Sequence, residues 1–343
     1  SLKSVKIPII QSNPSQEFYY AFDFSELKPE QGKTIEYYFE VWDNDAIHGS
    51  KSTRSNIYEY VIPTKEEIEN ITSETNKNIE EKVKESMRKV DELKKDLNEL
   101  QENMINRELS SWEKTKALKN ITQKQNSLEK LMEEINSMNQ KKNELVNTFS
   151  EQEQELVEKQ KQIEEMLEQL MDEEMKKMME ELNKLMENFD KKKLNKLTED
   201  MKMSYEDMEE QLDRNLEMLK KFEVEQKIEN TIDQLEKLAE EQENLSEEVT
   251  DKNADQDELT KEQKEQQEDF EKAMEEYKEA IEKNKELENP MNLQEFEQDK
   301  SEISEEFQEG TENMEGGKSR KASKNQKQNS EKLKNMAASM QGM

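Results

Sequence analysis

Neither glycine nor proline occurs between Pro63 and Pro290. Average usage of the two would place roughly 27 of them in a stretch of that length. The same stretch is dense in Glu, Lys, Gln, Asn, Leu and Met. A chain without either breaker and with that composition is committed to long helices, with coiled coil the expected form. Helices packed side by side in this way offer little room for a catalytic pocket.

The charge sharpens the picture. The chain has 52 basic and 84 acidic residues, a net charge of -32. Residues 1–63 carry 6 basic and 9 acidic groups, and residues 311–343 carry 7 and 3. The excess of acid therefore lies in the middle. Such a surface repels a phosphate backbone, so no nucleic-acid partner is expected. Apolar residues make up 30% of the chain, too few for a single thick core. Their regular spacing argues for helices rather than disorder. The absence of cysteine excludes disulfides, thiolate metal sites and thiol nucleophiles. No apolar run is long enough to span a bilayer.

Residues 1–63 differ in kind. They hold 11 of the 20 aromatic residues and none of the 20 methionines. Segment 5–10 reads as a strand because it is apolar and β-branched; 17–24, 34–42 and 57–62 alternate in the two-residue period of strands, with Phe18, Tyr20, Phe22 and Phe24 sharing one face and Ile35, Tyr37, Phe39 and Val41 another. Asn13-Pro14, Pro29 with Gly32, and Asp43-Asn44-Asp45 with Gly49 mark the turns. The stretch ELKPEQGKTIEYYFEV at 26–41 resembles the E–F corner of immunoglobulin and fibronectin type III sandwiches. On that resemblance, 34–42 and 56–62 are the last two strands of a sandwich. The chain starts at Ser1 without an initiator Met and reads as a piece of a longer protein.

After Pro63, Thr64 and Glu67 have the spacing of a capping box. A seam of apolar residues follows at alternating steps of three and four. Its members are Val90, Leu93, Leu97, Leu100 and Met104; Ile121, Leu128, Met132 and Ile135, with Gln125 in register; and Leu194, Leu197, Met201, Met208 and Leu212, with Tyr205 in register. The pattern slips at 106–115, 139–143, 188–196, 251–257 and 289–292. The spacing fits helices folded back into antiparallel hairpins, and it also fits a segmented rod.

The candidate sites are few. Asp43-Asn44-Asp45 reads as a turn rather than a calcium loop, because Ile47 stands where an oxygen ligand belongs. His48 has no partner ligands nearby in sequence. Gly316-Gly317-Lys318-Ser319 echoes a phosphate-binding loop, but Glu312 occupies the position of its first glycine. The ten methionines between Met166 and Met218 read as seam, with a docking groove for a partner helix as the other reading. Trp112, the one tryptophan beyond residue 63, is either a helix-junction residue or an anchor for a partner. Paired acids such as Glu173-Glu174 read as a solvated face. No catalytic, cofactor-binding or metal-binding residues are predicted, and no cofactor.

The order of segments adds one resemblance. YYFEVWDNDAIHGSKSTRS at 37–55 leads through YVIPTKEE into the acidic helices, which contain ELSSWEKTKAL at 108–118 and end in KASKNQKQNSEKLKNMAASMQ at 321–341. This order resembles the middle region of large bacterial envelope proteins grouped as domain-of-unknown-function family 4175. The resemblance implies membrane helices upstream, an immunoglobulin-like β domain, then a long coiled coil. It implies a cell envelope location, anchored to the inner membrane through an N-terminal region outside this chain.

The expected fold is thus mainly α: a long segmented coiled coil or helical hairpins, preceded by a partial β-sandwich. Residues 1–63 form the end of the sandwich, 64–250 the coiled-coil helices, 251–309 further acidic helices, and 310–343 a polar basic tail with the start of another helix. The expected function is non-enzymatic, structural or interactive, with protein partners or self-association through the coil; the alternative is a soluble cytoplasmic coiled-coil scaffold. Replacing Leu93, Leu97 and Leu100 together with Ser should strongly lower the helical circular dichroism of the chain, and an unchanged spectrum would remove the seam assignment.

Overall fold

The turn at Pro63-Thr64 starts a helix in the way its residues dictate. Thr64 N–H donates to Glu67 Oε2 at 2.9 Å and Glu67 N–H donates to Thr64 Oγ1 at 3.2 Å. This reciprocal cap satisfies two donors that a helix start leaves over. The computed structural model describes residues 4–8, 17, 20–22, 24–27, 32–43, 49–106, 110–149, 154–170, 173–187, 190–251 and 253–343. It is mainly helical, with a few small antiparallel strands. Two compact units divide it: residues 1–72 with 142–151, and residues 73–141 with 152–343.

The described residues of the first unit hold four short strands, β1 (Thr34–Tyr37), β2 (Glu40–Trp42), β3 (Ser52–Arg54) and β4 (Tyr58–Val61). β1 pairs antiparallel with β4, Tyr37 opposite Tyr58, and β2 pairs antiparallel with β3. The segment expected as one strand over 34–42 is therefore split at Tyr38-Phe39, and β3 lies where a loop was expected. Residues 5–8 and 20–22 are not in strands, and the rest of segments 5–10 and 17–24 lies outside the described residues, apart from a 3₁₀ turn at Phe24–Leu27. The described residues thus form two two-stranded antiparallel sheets. Aromatic rings hold them: Phe24 stacks on Tyr60 at 4.6 Å between centroids, and Tyr37 on Tyr58 at 5.4 Å.

Among the described residues eight helices follow: α1 (Lys65–Asn106), α2 (Ser111–Phe149), α3 (Gln154–Gln169), α4 (Glu173–Glu187), α5 (Lys191–Glu248), α6 (Gln256–Lys285), α7 (Glu297–Glu315) and α8 (Ser319–Gln341). The ends of α1, α4, α5 and α6 fall at or beside expected slips. The slip expected at 139–143 is not a break, since α2 runs through it with Asn139, Lys142 and Asn143 buried. Polar side chains interrupt the stripe there, not the helix. The end of α2 and the start of α4 carry no glycine or proline to announce them.

Within the second unit the helices reverse direction from wall to wall. Lys82 pairs with Glu134 and Lys124 with Asp96 at 2.8 Å, which sets α1 antiparallel to α2. Thr122 meets Asn183, setting α4 against α2, and Lys159 meets Glu225 at 2.9 Å, setting α3 against α5. Lys94 with Glu209 and Lys202 with Gln101 set α5 against α1. These contacts describe an up-down-up-down bundle in which α3 and α4 together supply one wall. Its core joins Val90, Leu93, Leu97, Leu100 and Met104 to Ile121, Leu128, Met132 and Ile135, and to Leu194, Leu197, Met201, Met208 and Leu212. Met175 and Met179 lie in the same core. All these residues are less than one-tenth exposed.

The second half of α5 belongs to another four-helix arrangement. Lys227 bonds Glu279, Gln263 bonds the Phe307 carbonyl, Asn313 bonds Asn325, and Ser323 bonds the Ser246 carbonyl at 2.7 Å. α5, α6, α7 and α8 alternate in direction around a core of Leu235, Phe270, Tyr277, Ile303, Phe307 and Leu333. Residues 319–341, expected as part of a polar tail, are the fourth wall of this bundle. α5 and α8 come close enough for Cα atoms to lie within 8 Å. Small buried residues on both, Ala239 and Ser246 against Ala322 and Ser330, permit that approach.

A layer of amides crosses this bundle. Gln242 Nε2 donates to Gln263 Oε1 at 3.0 Å and to Gln266 Oε1 at 2.5 Å; Gln326 Nε2 donates to Gln263 Oε1 at 3.1 Å. Buried amides bonded to one another fix which residues of α5, α6 and α8 lie level, as polar groups at core positions do in coiled coils. Gly310 on α7 makes room for them, because a Cβ there would stand 3.0 Å from Gln263 Nε2. That nitrogen is held by the Phe307 carbonyl at 3.3 Å and does not swing aside freely. Gly310→Val should therefore destabilise the protein by about 1–3 kcal/mol in denaturant unfolding, and an unchanged midpoint would show that the layer tolerates the branch.

Candidate functional site

The feature that the bundle architecture does not consume lies at one end of the first bundle. The Lys202–Gln101 and Thr122–Asn183 contacts put the end of α1, the start of α2, the end of α4 and the start of α5 at the same end. Trp112, in the first turn of α2, is 69% exposed, and Ile105, at the end of α1, is 63% exposed. Trp112 is thus not packed into a helix junction.

The local caps explain how Trp112 is presented. Ser110 N–H donates to Glu113 Oε2 at 2.9 Å and Glu113 N–H donates to Ser110 Oγ at 3.3 Å. This second capping box starts α2 sharply and points its first turn outward. Lys116 and Lys119 follow Trp112 at i+4 and i+7, so the three share one face. The Lys116 ammonium stands 5.1 Å from the centre of the Trp112 ring, in cation–π range.

α5 begins with Lys191, Lys192 and Lys193, all exposed, with exposed Lys196 one turn on. Asp190 caps the helix by accepting from the Lys192 and Lys193 N–H groups at 3.0 and 3.2 Å. Cations in a first turn oppose the helix dipole, where acids are favoured. Three of them in succession therefore do not serve the helix. Lys119, Lys191, Lys192, Lys193 and Lys196 have no ion pair among the described residues. Glu113 and Asp190 accept hydrogen bonds in the caps of α2 and α5, and Glu199 and Asp200 follow Lys196 at i+3 and i+4. The result is a lysine-rich end with an indole and the sec-butyl side chain of Ile105 on a chain of net charge -32.

Other sequence candidates find plainer places. The seam residues named above lie in the bundle core, and so do most of the described methionines of 166–218, although Met203 is 53% exposed. The Gly316, Gly317 and Lys318 N–H groups donate to the carbonyls of Glu312, Met314 and Asn313. With Gly317 at φ +68°, this is the left-handed ending of α7, and it occupies the donors that a phosphate loop needs free. His48, Asn44 and Asp45 lie outside the described residues, as do the side chains of Glu173 and Glu174. Asp43 accepts from Lys51 N–H at 2.9 Å, as a turn residue does. Among the described residues, no group of three or more His, Asp or Glu is placed to hold a metal ion. No helix of the described residues is long and apolar enough to cross a membrane.

Sequence reasoning singled out Trp112 but missed its lysine neighbours on α5. The signal was present as Lys191-Lys192-Lys193 in an otherwise acidic stretch, but only the fold brings it to the same end as Trp112. A second exposed apolar strip, missed likewise, lies in the first unit at Phe39, Val41, Trp42, Ile57, Tyr58 and Val61.

Titration is perturbed where groups are paired or buried. The Glu209 carboxylate, hydrogen-bonded at 2.6 Å, holds the Lys94 ammonium above the usual lysine range. Burial raises the Tyr205 phenol well above its ordinary value, and its hydroxyl donates to Gln125 across the core. Burial, then the charge of Glu295, pushes the Tyr277 phenol up to about 12. Comparison of the chain with protein-family models, curated proteins and solved structures finds no match.

The Tyr277 shift has a sign. The folded chain holds the phenol neutral longer than the unfolded chain does, so its contribution is complete below the ordinary phenol value of about 10 and is lost as pH rises toward about 12. Tyr277→Phe also removes a 2.7 Å hydrogen bond to the Gln294 carbonyl. The variant should lose about 1 kcal/mol at neutral pH yet show a shallower alkaline loss of helical circular dichroism; an equally steep loss would place the alkaline transition elsewhere.

Proposed function

We propose that this chain is a non-enzymatic structural and interaction module of a bacterial cell envelope protein. The observation that carries the reading is where the apolar residues go. The seam is spent inside the chain's own bundles, which leaves long acidic helix surfaces and two exposed apolar places, the Trp112 end and the strip around Trp42. That distribution suits an interaction module with exposed contact sites on each unit. The acidic surface keeps such a module soluble and repels polyanions.

Its setting rests on the resemblance to domain-of-unknown-function family 4175. In that setting the β region is the end of an immunoglobulin-like domain, and an N-terminal region outside this chain anchors the protein to the inner membrane. Partners then meet the module at its exposed places rather than through the seam.

Membrane fractionation of the native cells, followed by crosslinking and identification of what co-purifies with the full-length protein, tests the reading. Recovery with membranes alongside envelope proteins is the expected result. Recovery in the soluble cytoplasmic fraction would replace it with a free scaffold.

A further inference from the structure

We propose that the Trp112 end of the first bundle docks on an anionic membrane surface. The inference deepens the interaction-module reading and rests on it, but the surface chemistry stands on its own.

The ingredients are those of a bilayer interface. An indole and a second apolar side chain, Ile105, are exposed at the end of the bundle that also carries Lys116, Lys119, Lys191, Lys192, Lys193 and Lys196. Trp favours the headgroup level, where its ring meets hydrocarbon and its N–H meets water. Lysine extends its stem along apolar surface and leaves its charge among the lipid phosphates. The Lys116–Trp112 pair, at 5.1 Å, already joins the two functions in one unit.

Charge selects the partner. A chain of net charge -32 is repelled by an anionic surface everywhere except where its lysines outnumber its acids. At this end five lysines have no ion pair among the described residues, and residues 190–196 carry four lysines against the single acid Asp190. The repulsion of the remaining surface then orients the approach, end first. A second copy of the chain is also acidic, but it is the weaker candidate. Two exposed apolar side chains fall far short of the roughly 20–30 residues per side of a stable protein interface. Shallow insertion in a headgroup layer needs no such area, because soft lipid shapes itself to the residues.

The lysines are also dispensable to the fold, which makes them testable. Those at the start of α5 oppose its dipole, so glutamine there is neutral or stabilising. The test uses the whole chain with Trp42→Phe, which leaves Trp112 as the only fluorophore of its kind. It is mixed with vesicles of phosphatidylcholine alone or with added phosphatidylglycerol.

With the phosphatidylglycerol vesicles, Trp112 emission should shift to the blue, acrylamide quenching should fall, and the chain should sediment with the vesicles until salt is added. Combined Lys191→Gln, Lys192→Gln and Lys193→Gln should weaken that binding by about a hundredfold, about fivefold for each charge. Trp112→Ala should weaken cosedimentation without changing the thermal midpoint. Absence of binding to anionic vesicles at low salt, or binding unmoved by the lysine changes, would overturn the proposal. The same blue shift without vesicles, with a salt-sensitive dimer in sedimentation, would overturn it in favour of a second copy. Recovery of the native protein in the soluble fraction would sink the envelope reading and leave this result standing.

Discussion

Three apolar residues in ten can be buried only one layer deep, and the architecture follows from that constraint. A thick core is out of reach, so the apolar positions line up as stripes and each stripe must find another. Four stripes facing one axis exclude water completely: Leu93, Leu97, Tyr205 and Leu212 have no measurable exposure. The price is length, since a core one layer deep grows only along its axis. Leu and Met fill the first bundle, whereas Ala, Ser, Asn and Gln bring the helices of the second closer together.

Much of this was legible beforehand, and the limits are physical. The long helices followed from the missing glycines and prolines, and the start of α1 from Thr64 and Glu67. The start of α2 carried the same signature in Ser110 and Glu113, and it was overlooked among slips in the heptad pattern. What periodicity does not hold is direction. A stripe of Leu and Met looks alike whether its partner is the same chain or another, so hairpin and rod gave the same pattern. Lys94 with Glu209, and Gln242 with Gln263, carry the pairing information, and such pairs span 115 and 21 residues with no local mark. The strands were harder. Alternation at 34–42 and 57–62 located β1, β2 and β4, but β3 is Ser-Thr-Arg, with no apolar residue to reveal it.

The candidate site was half visible for the same reason. Trp112 stands out in any reading, because a large aromatic residue amid Glu and Lys calls for an explanation. The lysines of α5 look like ordinary solvated charge when read along the chain. Their meaning comes from where the fold puts them: at a helix start, against the dipole, at the same end as an exposed indole, with the capping carboxylates already bonded to backbone. Position against local preference is what separates them from the many lysines that pair with acids one turn away, such as Lys84 with Glu80 and Lys95 with Asp91.

α5 has a consequence of its own. It runs for 58 residues, about 87 Å at the rise of an α-helix, and is a wall of both bundles. Turning it about its axis would move Leu197 and Leu212 out of one core and Leu235 and Leu238 out of the other in the same motion. The two cores therefore share a single torsional coordinate. A strain applied at the lysine-bearing start of α5 reaches the amide layer near its far end through unbroken backbone hydrogen bonds, without a hinge to dissipate it. In mechanical terms the helix is a shaft, and the bundles are its two bearings.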